Sequence, residues 1–500
     1  MMESAWSIGF ALVALLSVLL LGFIGFVIHI YVLHRKYSHL PGPPRPSFFY
    51  GHLPIVKKEV QEGRTLVELF QKWSLEYDGL YLIWFFWHPR VVAYHKDVIK
   101  DVIIKYNLPK QKSLQKMLSD MFGARFMKNG LVSITNHEEW KKKRNAANPA
   151  FYRSHLKTLV SDYNKSCDKF LTKIGGMADG KTQVRMLDYF HRVTLDVIGK
   201  VAFDMELNSL DDDHSPFPTA VANCLNGILF KFRNPFHKIN PSTFKYQRQV
   251  ADGTRLLRET GRKCIEKRQA AIASGKTMPN DVLSTMMKLT ELHGISSEDL
   301  LDDFITFFIA GQETTANQLS FLLLEVAQRP DVLEKLKAEI HEVLGSRDYV
   351  EFDDLAKLEY MGQVLKEALR LYPPAGGIAR ETKEQIVLGG HMIPANSLIN
   401  VSIYSAHHHP DHFEDPEKFD PDRWNKENAD KIDRFSYLPF SLGPRNCIGQ
   451  VFAQFESKVL LARLLKNFKI TLIPGQTRTI KEQGTLQPRD GVVCTLEQRR

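Results

Sequence analysis

An uninterrupted apolar run at the N-terminus constrains this chain more than any other feature. No Asp, Glu, Lys or Arg occurs between Ser4 and Leu33, and residues 8–32 are mostly Leu, Val, Ile, Phe, Ala and Gly. About 20 such residues suffice for a helix to cross the hydrocarbon core of a bilayer. The run is too long for the apolar part of a secretory signal, and no clear small-residue cleavage site follows it. We therefore predict a retained transmembrane anchor helix within residues 1–40.

The charges that flank this run indicate how the chain is oriented. Arg35 and Lys36 follow the run, whereas Glu3 is the only formally charged side chain before it. Lys and Arg collect on the cytoplasmic side of membrane helices. We therefore expect one span, with the remainder of the chain in the cytosol.

A proline-rich segment follows the anchor: residues 41–46 read Pro-Gly-Pro-Pro-Arg-Pro. Prolines at this density cannot continue a helix and favour an extended, semi-rigid spacer. We predict three parts, namely an anchor over residues 1–40, a hinge over 41–46 and one large domain over 47–500.

Length and composition narrow the class of protein. Five hundred residues exceed one compact core, so we expect at least two packed sub-regions. The five cysteines are scattered and odd in number, which does not indicate a disulfide framework and suits a reducing compartment. The net charge of +9 favours anionic surfaces such as phospholipid head groups or an acidic protein, although a solvated basic face without a partner is the alternative. No zinc-finger spacing or RNA-binding aromatic motif occurs, so we predict no nucleic-acid partner.

The pattern of the large domain predicts mainly helix with a smaller β-rich region. Aromatic and β-branched residues between 80 and 94 predict a small sheet. Two further short strands are predicted at Gln385–Leu388 and Leu398–Ser402. Helical periodicity is clearest at Asp299–Gln328, Asp331–Leu344, Leu358–Leu371 and Gln450–Asn467.

One cysteine near the C-terminus lies in a loop bracketed by glycines. Residues 440–449 read Phe-Ser-Leu-Gly-Pro-Arg-Asn-Cys-Ile-Gly, with Arg445 two positions before Cys447. An exposed thiol beside a cation and a helix start favours its thiolate form, and glycines let the backbone approach something large and flat. Haem iron held by a cysteine thiolate is a chemistry that needs this arrangement. The alternative is an ordinary small buried cysteine.

A long apolar helix carries polar residues at its centre. Residues 300–324 are apolar nearly throughout, yet residues 310–315 read Ala-Gly-Gln-Glu-Thr-Thr. Glycine costs a helix interior about 1 kcal/mol relative to alanine, and a buried carboxylate costs more unless it is paired. Such broken local rules often indicate function. The alternative is a threonine that bonds the carbonyl one turn back.

These two motifs resemble those of the cytochrome P-450 family. The haem-binding signature F-x-x-G-x-R-x-C-x-G is matched by Phe440, Gly443, Arg445, Cys447 and Gly449. Residues 310–315 match the family's distal-helix motif A-G-x-[DE]-T-[TS]. The resemblance implies the family's fold, haem b with Cys447 as its iron ligand, and Thr314 and Glu313 as the residues that deliver protons. It also implies a monooxygenase that receives electrons from NADPH through cytochrome P-450 reductase.

Two further matches concern charged residues that would hold the cysteine loop. Glu367 and Arg370 match the family's E-x-x-R, and residues 419–424 resemble its F-x-P-x-R-[FW] segment, which contains Arg423. The resemblance implies a buried triad of these three side chains with a structural, non-catalytic role.

A third group would hold the haem propionates. Trp140 and Arg144 match the family's W-x-x-x-R, and the resemblance implies the same role for Arg445 and Arg380. A planar, permanently charged guanidinium suits a carboxylate. The lysines between Trp140 and Arg144, with Lys110 and Lys112, are either part of a basic docking face or a solvated run.

Four histidines, His407, His408, His409 and His412, could suggest a metal site. The segment after them resembles an ordinary loop of the family, so we expect no metal there.

The resemblance extends to a branch of the family that hydroxylates cholesterol at carbon 24. Residues 302–311, 363–367, 371–375 and 440–450 carry this likeness. It implies insertion of one oxygen atom into a sterol side chain, in the S configuration, by an enzyme of the endoplasmic reticulum membrane. The chain departs from the branch at residues 376–378, Gly-Gly-Ile, where a loss of bulk would weaken discrimination between substrates.

Several alternatives and details stay open at this point. A monooxygenase of broader lipid or xenobiotic specificity, a haem-thiolate isomerase or dehydratase, and a non-enzymatic membrane haem protein are the rival functions. The residues proposed as substrate-pocket walls are Phe122, Phe126, Phe230, Phe304 and Ala310.

Overall fold

The structure is a computed structural model that describes residues 2–234 and 237–499. Its helices are α1 (Met2–Tyr37), α2 (Leu53–Gln61), α3 (Leu66–Ser74), α4 (Lys96–Lys100), α5 (Lys112–Ser119), α6 (His137–Ala147), α7 (Arg153–Lys157), α8 (Val160–Gly175), α9 (Met186–Val197), α10 (Pro216–Arg233), α11 (Phe244–Ala273), α12 (Val282–His293), α13 (Ser297–Ala327), α14 (Pro330–Leu344), α15 (Asp354–Lys357), α16 (Glu359–Leu371), α17 (Ile403–His407) and α18 (Gln450–Asn467). Its strands are β1 (Leu80–Phe85), β2 (His88–Ala93), β3 (Asp120–Met121), β4 (Ala124–Arg125), β5 (Val184–Arg185), β6 (Gly377–Glu381), β7 (Ile386–Leu388), β8 (His391–Ile393), β9 (Leu398–Ser402), β10 (Phe468–Leu472), β11 (Ile480–Glu482), β12 (Leu486–Pro488) and β13 (Val493–Gln498). The prediction of a mainly α protein with a smaller β-rich part is confirmed.

The strands form one four-stranded sheet and several smaller ones. The four-stranded sheet has the order β1-β2-β9-β6, in which β2 and β9 run parallel and the other neighbours antiparallel. A three-stranded sheet, β10-β13-β5, lies beyond the end of α18. The strands predicted from residues 80–94, 385–388 and 398–402 all occur, the last with identical bounds.

Helix α13 runs through the main hydrophobic core. The Ser296 side chain caps its N-terminus by accepting a hydrogen bond from Asp299 N at 3.1 Å. Acidic side chains in the first turn also suit the positive end of the helix. The helix packs most extensively against α9 and also contacts α11, α16 and α18. Most of its apolar residues are buried because neighbouring helices surround them.

Helix α1 is long and apolar enough to cross a membrane. The candidate span is residues 9–37, and its most apolar 18-residue window has a mean hydropathy of 2.9 and is not buried within the protein. Its C-terminal end packs on the β-rich part: the ring centroids of Phe26 and Trp87 lie 4.9 Å apart, and the hydroxyls of Tyr37 and Ser397 lie 2.8 Å apart. One end of the anchor helix is therefore held against the large domain.

The proline-rich segment after α1 has no regular secondary structure and lies against β1. The amide of Leu82 donates to the carbonyl oxygen of Pro41 at 2.7 Å. A Cβ atom at Gly42 would lie 2.3 Å from the Leu82 carbonyl oxygen, so only glycine permits this close approach. These contacts fix the direction in which the chain enters the domain.

Candidate active site

The Cys447 loop is an irregular segment that ends where α18 begins. The amide of Cys447 donates to the Phe440 carbonyl oxygen at 2.8 Å, which closes the loop. Gly443 has a φ of +73° and approaches Ile103 so closely that a Cβ atom would lie 2.9 Å from its Cγ2. Gly449 caps α18 and lies beside the sulfur. The glycines therefore let the loop turn sharply and approach its surroundings.

The sulfur of Cys447 faces a space that is enclosed by protein. The residue as a whole is accessible, but the protein that surrounds the sulfur disfavours the charged thiolate. This desolvation raises the pKa of the thiol. The amide of Gly449 and the charge of Arg144 oppose this rise. The sequence-based expectation that the loop by itself favours the thiolate is wrong, since desolvation exceeds the effect of the cation. A coordinated metal ion deprotonates a thiol outright, so the thiolate depends on the cofactor.

Four cations lie close enough to act on one another, and one of them, Arg144, also acts on the sulfur: Lys110, Arg144, Arg380 and Arg445. Burial, and after it the charges of the three arginines, lower the pKa of Lys110 to about 7. Burial and the other two guanidinium groups lower the pKa of Arg445 to about 10. Within the described parts of the chain, no carboxylate forms an ion pair with any of these four side chains. Such a cluster is costly unless anionic groups lie between its members.

The predicted propionate residues reach this cluster from three elements. Arg144, on α6, donates to the carbonyl oxygen of Asn446 at 2.7 Å and to its side-chain Oδ1 at 2.8 Å. Arg445 donates to the Ile134 carbonyl oxygen at 3.0 Å and lies 3.9 Å from the centroid of the Trp140 ring. Trp140 is thus a stacking surface for Arg445.

From the sequence, Lys110 belongs either to a basic docking face or to a solvated run, whereas the structure places it in the cation cluster. Its backbone forms a β-bridge with Arg380, and its amine donates to the Val132 carbonyl oxygen at 2.5 Å. Lys143, one of the lysines between Trp140 and Arg144, is buried, with its Nζ 2.9 Å from Oδ2 of Asp303. No local sequence signal marks Lys110, because it joins the cluster only through the pairing with Arg380.

Helix α13 is interrupted near its middle by less buried residues, Ala310, Gly311 and Thr314, which we call the notch. The helix is buried from Leu300 to Ile309 and from Thr315 to Val326, whereas Ala310 is exposed and Gly311 and Thr314 are half-buried. Thr314 Oγ1 donates to the Ala310 carbonyl oxygen at 2.8 Å, which leaves its lone pairs free to accept.

Glu313 is buried beneath the notch in a polar network. Thr485 Oγ1 donates to Glu313 Oε1 at 3.1 Å, and His191 Nε2 lies 3.7 Å from Oε2. Asn317 donates to Thr485 Oγ1 at 2.8 Å and lies 3.1 Å from the same His191 nitrogen. The carboxylate is thereby satisfied inside an apolar helix. His191 and Thr485 are distant in sequence and were not predicted.

The predicted charged triad forms beneath the cysteine loop. Two hydrogen bonds of 2.9 Å join Arg370 to Glu367, and both side chains are fully buried. Arg423 Nε lies 3.4 Å from Glu367 Oε1, and Trp424 Nε1 donates to Oε2 at 2.9 Å. Further guanidinium hydrogen bonds reach backbone carbonyls of residues 407, 416 and 418. The buried charges are therefore paired as well as hydrogen-bonded.

His407 links this triad to the loop. The amide of Leu438 donates to His407 Nε2 at 3.0 Å, so the ring hydrogen is on Nδ1 and is donated to the Arg370 carbonyl oxygen at 3.0 Å. Burial lowers the pKa of His407 well below its usual value, in keeping with a neutral ring. In the described chain no three metal-ligating side chains cluster, and the four neighbouring histidines bond to backbone atoms instead.

An open cavity of about 270 Å³ adjoins the polar network. Its wall includes Thr485 and residues 374–377. Phe126 and Phe304 were predicted as pocket walls, but they are buried in the packed core, where the ring centroids of Phe304 and Phe203 lie 4.1 Å apart. Phe122 and Phe230 are half-buried and pack edge-to-face on each other, 6.0 Å apart, and their pocket role stays a prediction.

The two glycines that depart from the branch line the cavity, but a Cβ atom at either position would meet a neighbouring residue. A Cβ atom at Gly376 would lie 2.7 Å from Val67 Cγ1, and one at Gly377 would lie 2.9 Å from the Val401 carbonyl oxygen. Val67 occupies the position that a larger side chain would need. The expected loss of bulk is therefore compensated from α3.

The residues present fit a haem. An unpaired cation cluster suits the two carboxylates that haem b carries, an accessible cysteine sulfur suits its iron, and the notch on α13 leaves room beside Ala310. The mainly helical fold and this site together define a haem-thiolate protein.

Comparisons with known proteins agree with this class. Residues 41–495 match the family model described as Cytochrome P450, and the chain belongs to the cytochrome P450 family. Cytochrome P450 4F6 of Rattus norvegicus is 31% identical over 454 residues, which are 86% of this chain and 82% of that protein. Cytochrome P450 3A13 of Mus musculus is 30% identical over 480 residues, 92% of this chain and 91% of that protein. The crystal structure of cytochrome P450DA heme domain is similar with a TM-score of 0.82 at 25% identity, and the match covers 92% of this chain and 97% of that chain.

Membership confirms several expectations. The protein is a cytochrome P450 monooxygenase, its cofactor is haem b with a cysteine thiolate ligand, and its electrons come from NADPH through a reductase. Its substrates are lipophilic.

Proposed function

We propose that this monooxygenase hydroxylates a sterol side chain, with cholesterol as substrate and carbon 24 as the position, in the S configuration. Residues 302–311, 363–367, 371–375 and 440–450 resemble the branch of the family with this activity. The cavity whose wall includes Thr485, the hydrogen-bond partner of Glu313, is lined mainly by apolar residues, which suits a hydrocarbon skeleton. Val67 restores the bulk that Gly376 lacks, which supports selectivity rather than a widened pocket.

The pairing of Glu313 with Thr314 supports oxygen activation over the rival functions. A haem-thiolate isomerase or dehydratase has no use for a carboxylate and a hydroxyl placed together in the notch of a buried helix. A non-enzymatic haem protein would need only the sulfur of Cys447. Here the carboxylate is held by Thr485, and the hydroxyl faces the open side of α13.

The site residues would hold different parts of the cofactor and of the cysteine loop. Arg144, Arg380, Arg445 and Lys110 would hold the propionates, Trp140 would support Arg445, and Phe440 and Gly449 would shape the loop. Cys447 would be the iron ligand, and Glu367, Arg370 and Arg423 would keep its loop in place.

The Thr314 hydroxyl can donate one hydrogen bond while it accepts another, so it can pass on a proton. Glu313 would exchange that proton with Thr314 and with the network formed by His191, Asn317 and Thr485. When bound, haem supplies dioxygen reduction at iron, where the electron-rich sulfur promotes O–O cleavage. The protein's own contribution is to place the proton source on one side of the pocket and to exclude bulk water from it.

Membrane attachment follows from α1. We assign the chain to the endoplasmic reticulum membrane as a single-pass protein, with residues 1–40 as the anchor, 41–46 as the hinge and 47–500 as the cytosolic catalytic domain. Arg35 and Lys36 on the cytosolic side support this orientation. The partner implied for electron transfer is cytochrome P450 reductase of the same membrane.

The test is a panel of sterols, fatty acids and drug-like compounds with the purified holoenzyme. Binding is measured by the spectral shift that accompanies displacement of water from the iron, and products are identified by mass and position after incubation with reductase and NADPH. The expected result is a shift with cholesterol and a 24S-hydroxylated product. If fatty acids or drugs shift the spectrum and no sterol does, the sterol assignment is wrong and the family assignment stands.

A further inference from the structure

Another cavity lies where the anchor helix α1 meets the large domain, and we call it the junction cavity. Its volume is about 460 Å³. The wall includes Tyr31 and Arg35 of α1, Arg45 and Phe48 of the segment that follows, and Trp84 of β1. The cavity is therefore bounded by the anchor on one side and by the domain on the other.

Two arginines in this wall lack a counter-charge. The side chains of Arg35 and Arg45 form no hydrogen bond and no ion pair with any residue that the structure describes, and the wall contains no Asp or Glu. The Cζ atom of Arg45 lies 5.3 Å from the ring centroid of Trp84, so an aromatic ring rather than an acid holds it. Burial lowers the pKa of Arg45. A cation that is partly removed from water is unfavourable unless an anion compensates it.

The junction cavity lies at the end of the apolar run. Arg35 is two residues beyond Leu33, which corresponds to about 3 Å of helix rise. A charged side chain just outside the hydrocarbon core reaches the head groups of the lipids. Aromatic rings such as those of Tyr31 and Trp84 are enriched at the same level. In the membrane proposed for this chain, the cavity is therefore at the depth of the lipid phosphates.

We propose that the junction cavity binds the head group of an anionic glycerophospholipid, with the phosphate between Arg35 and Arg45 and the acyl chains along α1. The inference goes beyond the monooxygenase reaction. It rests on the membrane attachment proposed above, and it is independent of the sterol assignment.

One face of α1 provides a surface for the acyl chains. Ile24 and Ile28 are exposed, and they precede Tyr31 and Arg35 at intervals of four, three and four residues. Residues at these intervals lie on one side of a helix. A lipid whose phosphate contacts Arg35 therefore has apolar side chains beneath its head group on the same face.

The wall also indicates which head group fits. Phosphatidylcholine carries an ammonium group beside its phosphate, and no carboxylate lines the described cavity to pair with it. The head group of phosphatidylinositol carries hydroxyls instead and keeps a net negative charge. A guanidinium binds phosphate oxygens with parallel hydrogen bonds. Since Arg35 belongs to α1 and Arg45 to the segment after it, one phosphate bound to both would tie the anchor to the domain.

The experiment measures lipid binding by the full-length holoenzyme in a non-ionic detergent. Native mass spectrometry gives the dissociation constants of dioctanoyl phosphatidylinositol and dioctanoyl phosphatidylcholine, which have identical acyl chains. We expect the inositol lipid to bind about tenfold more tightly, the size typical of one charge-assisted contact. Glycerophosphoinositol, the same head group without acyl chains, should compete only weakly, because it lacks the apolar contacts along α1.

Variants assign the preference to the cavity. Arg35→Gln and Arg45→Gln should each remove most of the preference for the inositol lipid, and Arg45→Lys should retain part of it. Lys36→Gln is the matched control, because Lys36 is exposed at the same end of α1 but is not part of the wall. This control loses the same charge and should behave like the wild type.

The inference is overturned if the wild type binds both lipids equally. It is also overturned if Lys36→Gln lowers the preference as much as Arg45→Gln does, since a basic segment beside a membrane helix attracts anionic lipids without any specific site. Glycerophosphoinositol that competes as well as the whole lipid would show a site for soluble phosphate esters, and the lipid assignment would fall. Should Arg45→Gln fail to assemble with haem, Arg35→Gln at its exposed position decides the question. If cholesterol is not hydroxylated while the lipid preference persists, the proposed function is wrong and this inference stands.

Discussion

Thr485 Oγ1 lies 3.1 Å from Oε1 of Glu313 and donates its hydrogen to it, although 172 positions separate the two residues in the chain. The same oxygen accepts a hydrogen bond from Asn317 at 2.8 Å. Its donor and one of its acceptor positions are therefore in use, which fixes the direction of the hydroxyl. The orientation of the Glu313 carboxylate therefore depends on Thr485, which lies between β11 and β12 in the C-terminal part of the chain.

Replacing this hydroxyl should disturb proton delivery. In Thr485→Val the carboxylate of Glu313 loses a donor while the side chain keeps its shape, so we expect the yield of product per NADPH to fall by about three- to tenfold. The measurement is the ratio of product and hydrogen peroxide to NADPH consumed. Thr485→Ser keeps the hydroxyl and should stay close to wild type; equal losses in both variants would assign the effect to packing.

Thr314→Ala should separate substrate binding from catalysis. The hydroxyl contacts the Ala310 carbonyl oxygen at 2.8 Å and makes no other hydrogen bond within the described chain, so its removal leaves the helix intact. We expect an unchanged substrate dissociation constant, a loss of coupling of about tenfold or more, and electrons diverted to peroxide. Unaltered coupling between NADPH use and product would show that Thr314 has no part in proton transfer. Thr314→Ser serves as the matched variant.

Breaking the buried pair beneath the loop should prevent assembly of the site. Arg370→Met leaves the fully buried carboxylate of Glu367 without its bidentate partner, and losing one partner of such a pair costs about 3–5 kcal/mol. We expect little or none of the strongly red-shifted Soret band that the reduced, carbon monoxide-bound haem-thiolate gives. Arg255→Met removes an exposed i,i+3 partner of Asp252, with side chains 61% and 71% exposed, and should cost at most about 1 kcal/mol. Wild-type spectra for Arg370→Met would argue against a locking role.

Lys110 should contribute to haem retention. Its amine belongs to the cation cluster that we propose holds the propionates, so Lys110→Met removes one member of that cluster. We expect haem to transfer to an excess of apomyoglobin about tenfold faster. Lys112→Met, two residues away at an exposed position, is the control. Identical transfer rates for both variants would place the Lys110 amine outside the propionate contacts.

Glu456 should make stability decrease with rising pH. The side chain is fully buried beside Thr315, and burial raises its pKa well above the ordinary value of 4.5. The folded state therefore keeps the proton that the unfolded chain releases, so stability falls above pH 4.5 by about 1.4 kcal/mol per pH unit until the folded pKa is reached. Glu456→Gln lacks this loss, and its apparent Tm relative to wild type should rise between pH 5 and pH 7. Exposed Glu342→Gln should show no such trend; a constant difference for Glu456→Gln would contradict the prediction.

Features that depend on near neighbours in the chain were predictable from sequence. The bounds of α18 and β9 agree with the predicted ranges, because hydrophobic periodicity and flanking glycines act over a few residues. The spacing of Glu367 and Arg370 places them on one helix face, where the structure finds them paired. The long N-terminal helix was also predictable, because an uninterrupted apolar run of this length indicates a helix that could cross a membrane.

Features that depend on which distant segments meet were not predictable. Lys110 joins the cation cluster through its β-bridge with Arg380, and His407 links the triad to the loop because the Leu438 amide donates to its ring. The pKa of the Cys447 thiol rises instead of falling, since burial outweighs the nearby cation. Phe126 and Phe304 illustrate the same limit, because an aromatic side chain has the same local pattern in a core as on a cavity wall.

The sequence by itself determined the family, the iron ligand that the family implies, the apolar N-terminal helix and several of the longer helices, because short motifs and periodic patterns record local chemistry. Only the tertiary structure decided which charges lack partners and how Glu313 is held. The reason is physical: burial and electrostatic interaction depend on distances in space, and residues hundreds of positions apart set those distances.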